Sequence, residues 1–152
     1  MDKRGLMTRI ERAWSDLAAS YAGLPDASLS EAGVTEAWSV KDLLAHVSTW
    51  EEEALTYLPL ILRGERPPRY VRFGGIDGFN ALKAAEKGSW TLAEVVKALA
   101  KTHGRLIALV ETAPAAEIAG ESRFRRRLRL DTYGHYPQHA RAIREWRLSR
   151  EV

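Results

Sequence analysis

The sequence contains no cysteine. That zero excludes a thiol nucleophile, a redox dithiol, a disulfide scaffold and every cysteine-ligated zinc or iron–sulfur site. Any metal must be held by histidine and carboxylate, and thiol chemistry must draw its sulfur from another molecule. Long apolar runs are missing as well. None approaches the ~20 residues that a membrane span requires, and the opening Met1–Trp14 lacks the apolar core of a signal peptide. The expectation is a cytoplasmic protein with no membrane partner. Internal repeats and low-complexity segments are absent, and nothing reads as a convincing strand pair.

What is present fits one domain over residues 1–152, long enough to bury a core without disulfides or a structural metal. At 45% hydrophobic and 28% charged, the composition is that of an ordinary soluble globular protein. The net charge of +3 is unevenly spread. Residues 123–152 carry nine arginines and no lysine against Asp131, Glu145 and Glu151, and the remainder is net acidic. Basic runs of this kind suggest nucleic acid, but the aromatic interleaving of single-strand binders is missing, and no helix-turn-helix signature occurs. Nucleic acid is therefore not expected as a partner. The run Arg123-Phe124-Arg125-Arg126-Arg127-Leu128-Arg129 reads first as a solvated helix entrance. Its functional alternative is bidentate capture of an anionic thiol or of substrate carboxylates.

Four long helical patterns are visible. The first covers Asp2 to Tyr21, with Leu6, Ile10, Trp14, Leu17 and Tyr21 on one stripe. The second opens at Ser39, with Asp42 in capping-box spacing, and stops at Gly64 before Pro67 and Pro68. Pro59 is placed to kink it or to shorten it by a turn. A looser stretch from Arg69 to Ser89 holds a short helical candidate, Asp77 to Glu86. The third long helix opens at Thr91, with Glu94 completing a capping box, and ends at Pro114. The last pattern spans about Leu128 to Leu148, where Pro137 either kinks the helix or marks a restart. Four amphipathic helices with one long middle connection predict an all-α four-helix bundle.

Only four histidines occur. His135 and His139 are i and i+4 on one helix face, a spacing that lets two imidazoles reach one ion. His46 lies midway along the second helix and can add a third ligand if that helix packs on the last. Three neutral imidazoles leave a divalent ion its full charge and an open position for water or a thiol. Zinc is the default for nitrogen donors; nickel, iron and manganese also suit such a site. Against this stands the plainer reading of satisfied core or surface histidines. His103 points into the bundle. It reads first as a buried, hydrogen-bonded histidine, and otherwise as a pocket wall, a base or an extra ligand.

The segment Trp38-Ser39-Val40-Lys41-Asp42-Leu43-Leu44-Ala45-His46-Val47-Ser48-Thr49-Trp50-Glu51 resembles the second-helix signature of the DinB-like superfamily, which includes YfiT-like and mycothiol-dependent isomerase-like proteins. Asp131-Thr132-Tyr133-Gly134-His135-Tyr136-Pro137-Gln138-His139 is similar to its last-helix HxxxH motif. That wording, with Gly78-Phe79-Asn80-Ala81, leans towards the DfsB/ClbS-like branch. The resemblance implies an up-down-down-up bundle, a metal ion held by His46, His135 and His139, and frequent homodimers. It also implies a metal-activated low-molecular-weight thiol or water acting on a small electrophilic molecule, as a thiol transferase or hydrolase. The ClbS-like branch is associated with protection against a cyclopropane-bearing genotoxin, and some of its members lack the full triad. The alternative is a protein that binds or sequesters a small molecule without catalysis or metal.

Further residues complete the candidate site. Glu53 lies two turns beyond His46 on the same side and is a candidate general base or imidazole acceptor, with His103 as the other candidate base. The run Glu51-Glu52-Glu53 reads more simply as a solvated helix shoulder. Trp50, Tyr57, Asn80 and Tyr133 are candidate pocket residues, each with packing or capping as its plainer role.

Overall fold

The computed structural model describes residues 1–152, and all of its regular structure is helical. Eight α-helices follow one another: α1 (Lys3–Tyr21), α2 (Asp26–Leu29), α3 (Val40–Leu62), α4 (Ile76–Lys87), α5 (Leu92–Thr112), α6 (Ala115–Ala119), α7 (Arg123–Asp131) and α8 (Tyr136–Arg150). The bundle consists of α1, α3, α5 and the α7–α8 pair. Helix α3 packs against α5, α7 and α8, and α1 closes the far side against α8 and α5. No helix is long and apolar enough to cross a membrane.

The caps start the long helices where the residue pattern places them. Ser39 and Asp42 exchange side-chain-to-backbone hydrogen bonds of 2.9 and 3.1 Å, and Thr91 and Glu94 do the same at 3.0 and 3.1 Å. Each pair satisfies two donors that a helix start leaves open. The apolar stripes then meet in one core, with Leu6, Ile10 and Leu17 of α1 facing Leu44, Val47 and Leu58 of α3 and Leu106 and Val110 of α5 in a single cluster. Each such side chain contributes roughly 1.5–3 kcal/mol on burial.

The structure decides the alternatives at Pro59 and Pro137 and adds two short helices. Pro59 does not shorten its helix, because α3 runs on to Leu62. The last pattern is not one helix. It breaks at Thr132, whose backbone leaves helical geometry (φ −132°, ψ −103°), and restarts at Tyr136 with Pro137 in its first turn, where a missing N–H costs nothing. The short helices α2 and α6 carry too few residues to show a periodic pattern.

The middle connection folds back on itself. A 3-10 turn at Tyr70–Phe73 leads into α4, longer by one residue at each end than the candidate Asp77–Glu86. Gly78 permits this reversal: a Cβ there would lie 1.8 Å from the Phe73 carbonyl oxygen. Gly78→Ala is expected to destabilise the protein by about 1–3 kcal/mol through forced backbone movement. Gly104→Ala, in open space on α5, is expected to stabilise by about 0.5–1 kcal/mol. Urea-unfolding midpoints of the two variants should therefore move in opposite directions.

Candidate metal centre

The break between α7 and α8 shapes the site. Gly134 passes so close to α7 that a Cβ would meet the Arg129 carbonyl oxygen at 2.7 Å, and its N–H donates to that oxygen at 2.8 Å. The Thr132 carbonyl accepts from both His135 and Tyr136 N–H groups at 2.8 Å. His135 thus occupies the N-cap of α8, with His139 one turn on. His46 approaches from α3.

The three rings meet through their Nε2 atoms. His135 Nε2 lies 3.1 Å from His46 Nε2 and 2.9 Å from His139 Nε2. One ligand atom from each of the three lies within 4.8 Å of the others. Nitrogens held ~2.0–2.1 Å from a common zinc-type ion are roughly 3 Å apart. Burial first, then the charges of His139 and Lys87, depress His46 to about 3. Burial, then His139 and His46, take His135 to about 2, and burial alone takes His139 to about 4. All three rings are therefore neutral at pH 7 and offer lone pairs. His135 Nδ1 is buried without a hydrogen-bond partner, so Nε2 is that ring's one outlet, and it faces two other nitrogens. A single cation satisfies all three at once, whereas one proton bridges only two. The donor set fits a divalent ion.

The rings border a cavity of about 340 Å³, also lined by Trp50, Asn80, Tyr70, Ile76, Arg127, Leu130, Asp131 and Gln138. Trp50 Nε1 donates to Asn80 Oδ1 at 2.9 Å, tying α3 to α4. Tyr57 lies outside this lining and packs 5.5 Å from the Arg127 guanidinium. Tyr133 is also outside, buried under Arg9. Glu53 turns to the Tyr70 hydroxyl, which donates to it at 2.9 Å, and reaches no histidine. His103 sits elsewhere in the core, stacked on Trp14 at 3.7 Å with Nε2 2.9 Å from Glu11.

Two solvated readings fail. Glu51 is fully buried: it accepts from Thr102 Oγ1 at 3.0 Å and Tyr136 Oη at 2.8 Å, with His103 Nδ1 within ion-pair range at 3.4 Å. Burial opposes the charged form of His103, but the carboxylates of Glu51 and Glu11 outweigh it and raise its pKa. The arginine run is likewise not all solvent-facing. Arg125 is buried and donates to the Ile118 carbonyl at 3.1 Å, while Arg127 donates to Asp131 at 2.6 Å and to Tyr70 Oη at 2.8 Å. Arg127 turns inward on the side where α7 packs on α3, and Arg125 on the side where α7 packs on α6.

Among the cavity residues, sequence reasoning named Arg127 only as part of the arginine run and did not single out Tyr70, Ile76, Leu130, Asp131 or Gln138. The i, i+4 spacing of Arg127 and Asp131 was the available signal. Tyr70 lies in the irregular connection, where no periodicity reports a face. Burial, only partly offset by Arg127, lifts the Asp131 carboxyl to about 6.

An all-helical bundle with three converging imidazoles at one end defines the class. A sequence model of the DinB superfamily matches residues 9–142, and the chain belongs to that superfamily. The fold is similar to an uncharacterised protein from Escherichia coli UTI89, at TM-score 0.80 and 14% identity over 99% of this chain and 95% of that one. It is equally similar to the Sibling Lethal Factor Precursor DfsB, at TM-score 0.80 and 14% identity over 99% and 97%. The colibactin self-resistance protein ClbS, solved with double-stranded DNA, follows at TM-score 0.78 and 16% identity over 95% and 94%. At these identities the likeness is one of fold. No curated protein matches the sequence.

The neutral rings carry a pH consequence. Their folded pKa values lie below the ordinary 6.5, so the unfolded chain binds more protons and stability falls as pH drops below 6.5. Asp131, raised in the fold, acts in the opposite sense between about 4 and 6, and His103, raised by Glu51 and Glu11, does so above 6.5, but these are two groups against three. In chelator-treated protein the urea midpoint should decrease steadily from pH 7 to pH 5. A flat or rising midpoint would show the rings already protonated in the fold.

Proposed function

We propose that the protein is a metal-dependent enzyme that directs an activated thiol or water onto a small electrophilic molecule, in detoxification or stress resistance. One observation carries the reading: three imidazoles kept neutral by burial converge at the wall of a cavity large enough for a small organic molecule. His46, His135 and His139 would hold a divalent ion, which would supply the acidity that turns water or a thiol into a nucleophile at neutral pH. Because the chain has no cysteine, a thiol nucleophile must come from a low-molecular-weight cosubstrate.

The remaining roles belong to the chain's own groups. His46, His135 and His139 fix the donor geometry. Asp131, on the same cavity and near neutrality, is placed to accept the proton that the nucleophile releases. It takes the part first assigned to Glu53 or His103, since neither of those borders the cavity. Trp50, Ile76 and Leu130 exclude water from one side of the substrate, and Asn80 holds the Trp50 indole in place. Nucleic acid stays outside this reading, supported by the inward engagement of Arg125 with the Ile118 carbonyl and of Arg127 with Asp131, which leaves Arg123, Arg126 and Arg129 as the surface part of the run.

The second reading, sequestration without catalysis, is supported by the cavity itself and by the likeness of fold to ClbS, a self-resistance protein. Elemental analysis of protein purified without a metal-affinity step separates the two. The proposal expects about one equivalent of transition metal per chain, reduced at least tenfold in His46→Ala and in His139→Ala. Substoichiometric metal that added zinc, nickel, iron or manganese does not restore would leave the sequestration reading.

A further inference from the structure

We propose that His103 is a positioning residue: as an imidazolium it is the counter-ion of the buried Glu51, and through the Glu51 oxygen it shares with Tyr136 it holds His135 against His46. The inference concerns the geometry of the histidine cluster and stands whether or not an ion occupies it. It rests on which charged groups reach Glu51 and on how they meet.

Glu51 is fully buried, and a charge there needs a partner of opposite sign. No lysine or arginine pairs with it. Thr102 donates to Oε1 at 3.0 Å, Tyr136 donates to Oε2 at 2.8 Å, and His103 Nδ1 stands 3.4 Å from the same Oε2. That Nδ1 is sealed from water and has no nearer partner, so His103 is the one cation within reach of Glu51. The far side of the ring repeats the pattern. Nε2 lies 2.9 Å from Glu11 Oε1, and Glu11 also lacks a lysine or arginine partner. Both ring nitrogens therefore face carboxylate oxygens. A neutral imidazole donates from one nitrogen only and would turn a lone pair on the other carboxylate, whereas the imidazolium donates from both. Trp14 lies parallel to the ring at 3.7 Å and 7°, which sets a cation on an indole face. Burial disfavours the charged ring, but Glu51 and then Glu11 outweigh it, so His103 releases its proton above the ordinary 6.5.

Glu51 Oε2 joins this network to the histidine cluster. Tyr136, which donates to it, follows His135 directly at the start of α8. The N–H groups of both residues donate to the Thr132 carbonyl at 2.8 Å, so the two are tied to one point of the backbone. His135 Nε2 is the middle nitrogen of the cluster, 3.1 Å from His46 and 2.9 Å from His139. The titratable groups facing His103 are Glu11 from α1, Glu51 from α3 and Tyr136 from α8, with Asp131 a further negative charge acting on Tyr136. When His103 is discharged, Glu51 stays buried and no other cation replaces the lost one. Water or a proton must then reach Oε2, and either competes with the Tyr136 hydroxyl. The proton has a route: Glu11 is 49% exposed and touches the ring.

The test is an NMR titration of the chelator-treated, ¹⁵N-labelled full chain from about pH 6 to about pH 9, across the range where a raised histidine titrates. At the acid end both ring nitrogens of His103 should carry protons. As the pH rises the ring should lose one proton in a step centred above 6.5, and the His135 and Tyr136 amides should shift with the same midpoint. Glu11→Gln removes one of the two carboxylates at an exposed position. It should lower that midpoint by about half a pH unit, in ring and amides alike. His103→Gln keeps an N–H donor without the charge and should abolish the amide step. Circular dichroism shows whether that variant is folded, and Glu11→Gln keeps the test decisive if it is not. A packing role alone would leave the amides with no step at the His103 midpoint. A neutral His103 ring at the acid end, His135 and Tyr136 amides that do not follow its titration, or a midpoint unmoved in Glu11→Gln would each overturn the assignment. Metal content enters none of these results, so the metal proposal fails or survives separately.

Discussion

The hydrogen bond from Tyr136 to Glu51 is the constraint on which the arrangement of the site depends. A carboxylate with no exposure is tolerable only if its oxygens are supplied with donors. Glu51 takes them from Tyr136 at the start of α8 and from Thr102 on α5, with His103 beside it. Sliding α8 or α5 along α3 would strand that charge, so one register is favoured over its neighbours. Tyr136 immediately follows His135, and Glu51 lies on α3 five residues beyond His46. The contact that satisfies the buried carboxylate therefore also brings the first histidine of α8 against the histidine of α3.

Helix α3 is the spine of this design. Its residues His46, Trp50, Glu51 and Glu53 face, in turn, the histidine cluster, the cavity, the buried network and Tyr70. Two polar systems run off it in different directions. One runs from the buried Glu51 through His103 to Glu11 at the surface and has a structural task. The other, through Glu53, Tyr70, Arg127 and Asp131, borders the cavity and sets its charge. Between them the histidines remain uncharged, because burial penalises the imidazolium and the nearest carboxylates are already committed to Tyr136, Thr102, Tyr70 and Arg127.

The sequence made the bundle and the histidine trio legible for physical reasons. Apolar stripes, the Ser39–Asp42 and Thr91–Glu94 boxes and the Gly64 and Pro114 stops are local signals, and they placed the long helices correctly. The histidines were conspicuous because there are four, two of them one turn apart. What stayed hidden depended on tertiary context. Glu51 looks like a surface acid in an acidic run until α5 and α8 supply its donors. Arg125 and Arg127 look solvated until α7 is turned against its neighbours. Tyr57 and Tyr133 were plausible by face alone, but face does not report depth along the bundle, and neither borders the cavity. The break at Thr132–His135 was half visible: Pro137 suggested a restart, whereas the close passage of Gly134 against Arg129 needed coordinates.

X-ray absorption spectroscopy of the zinc-loaded protein tests most directly whether this framework builds a three-histidine centre. The expected result is a first shell with three imidazole nitrogens at ~2.0–2.1 Å and the outer-shell scattering of three rings. A first shell with one imidazole or none, or with oxygen donors alone, would contradict it.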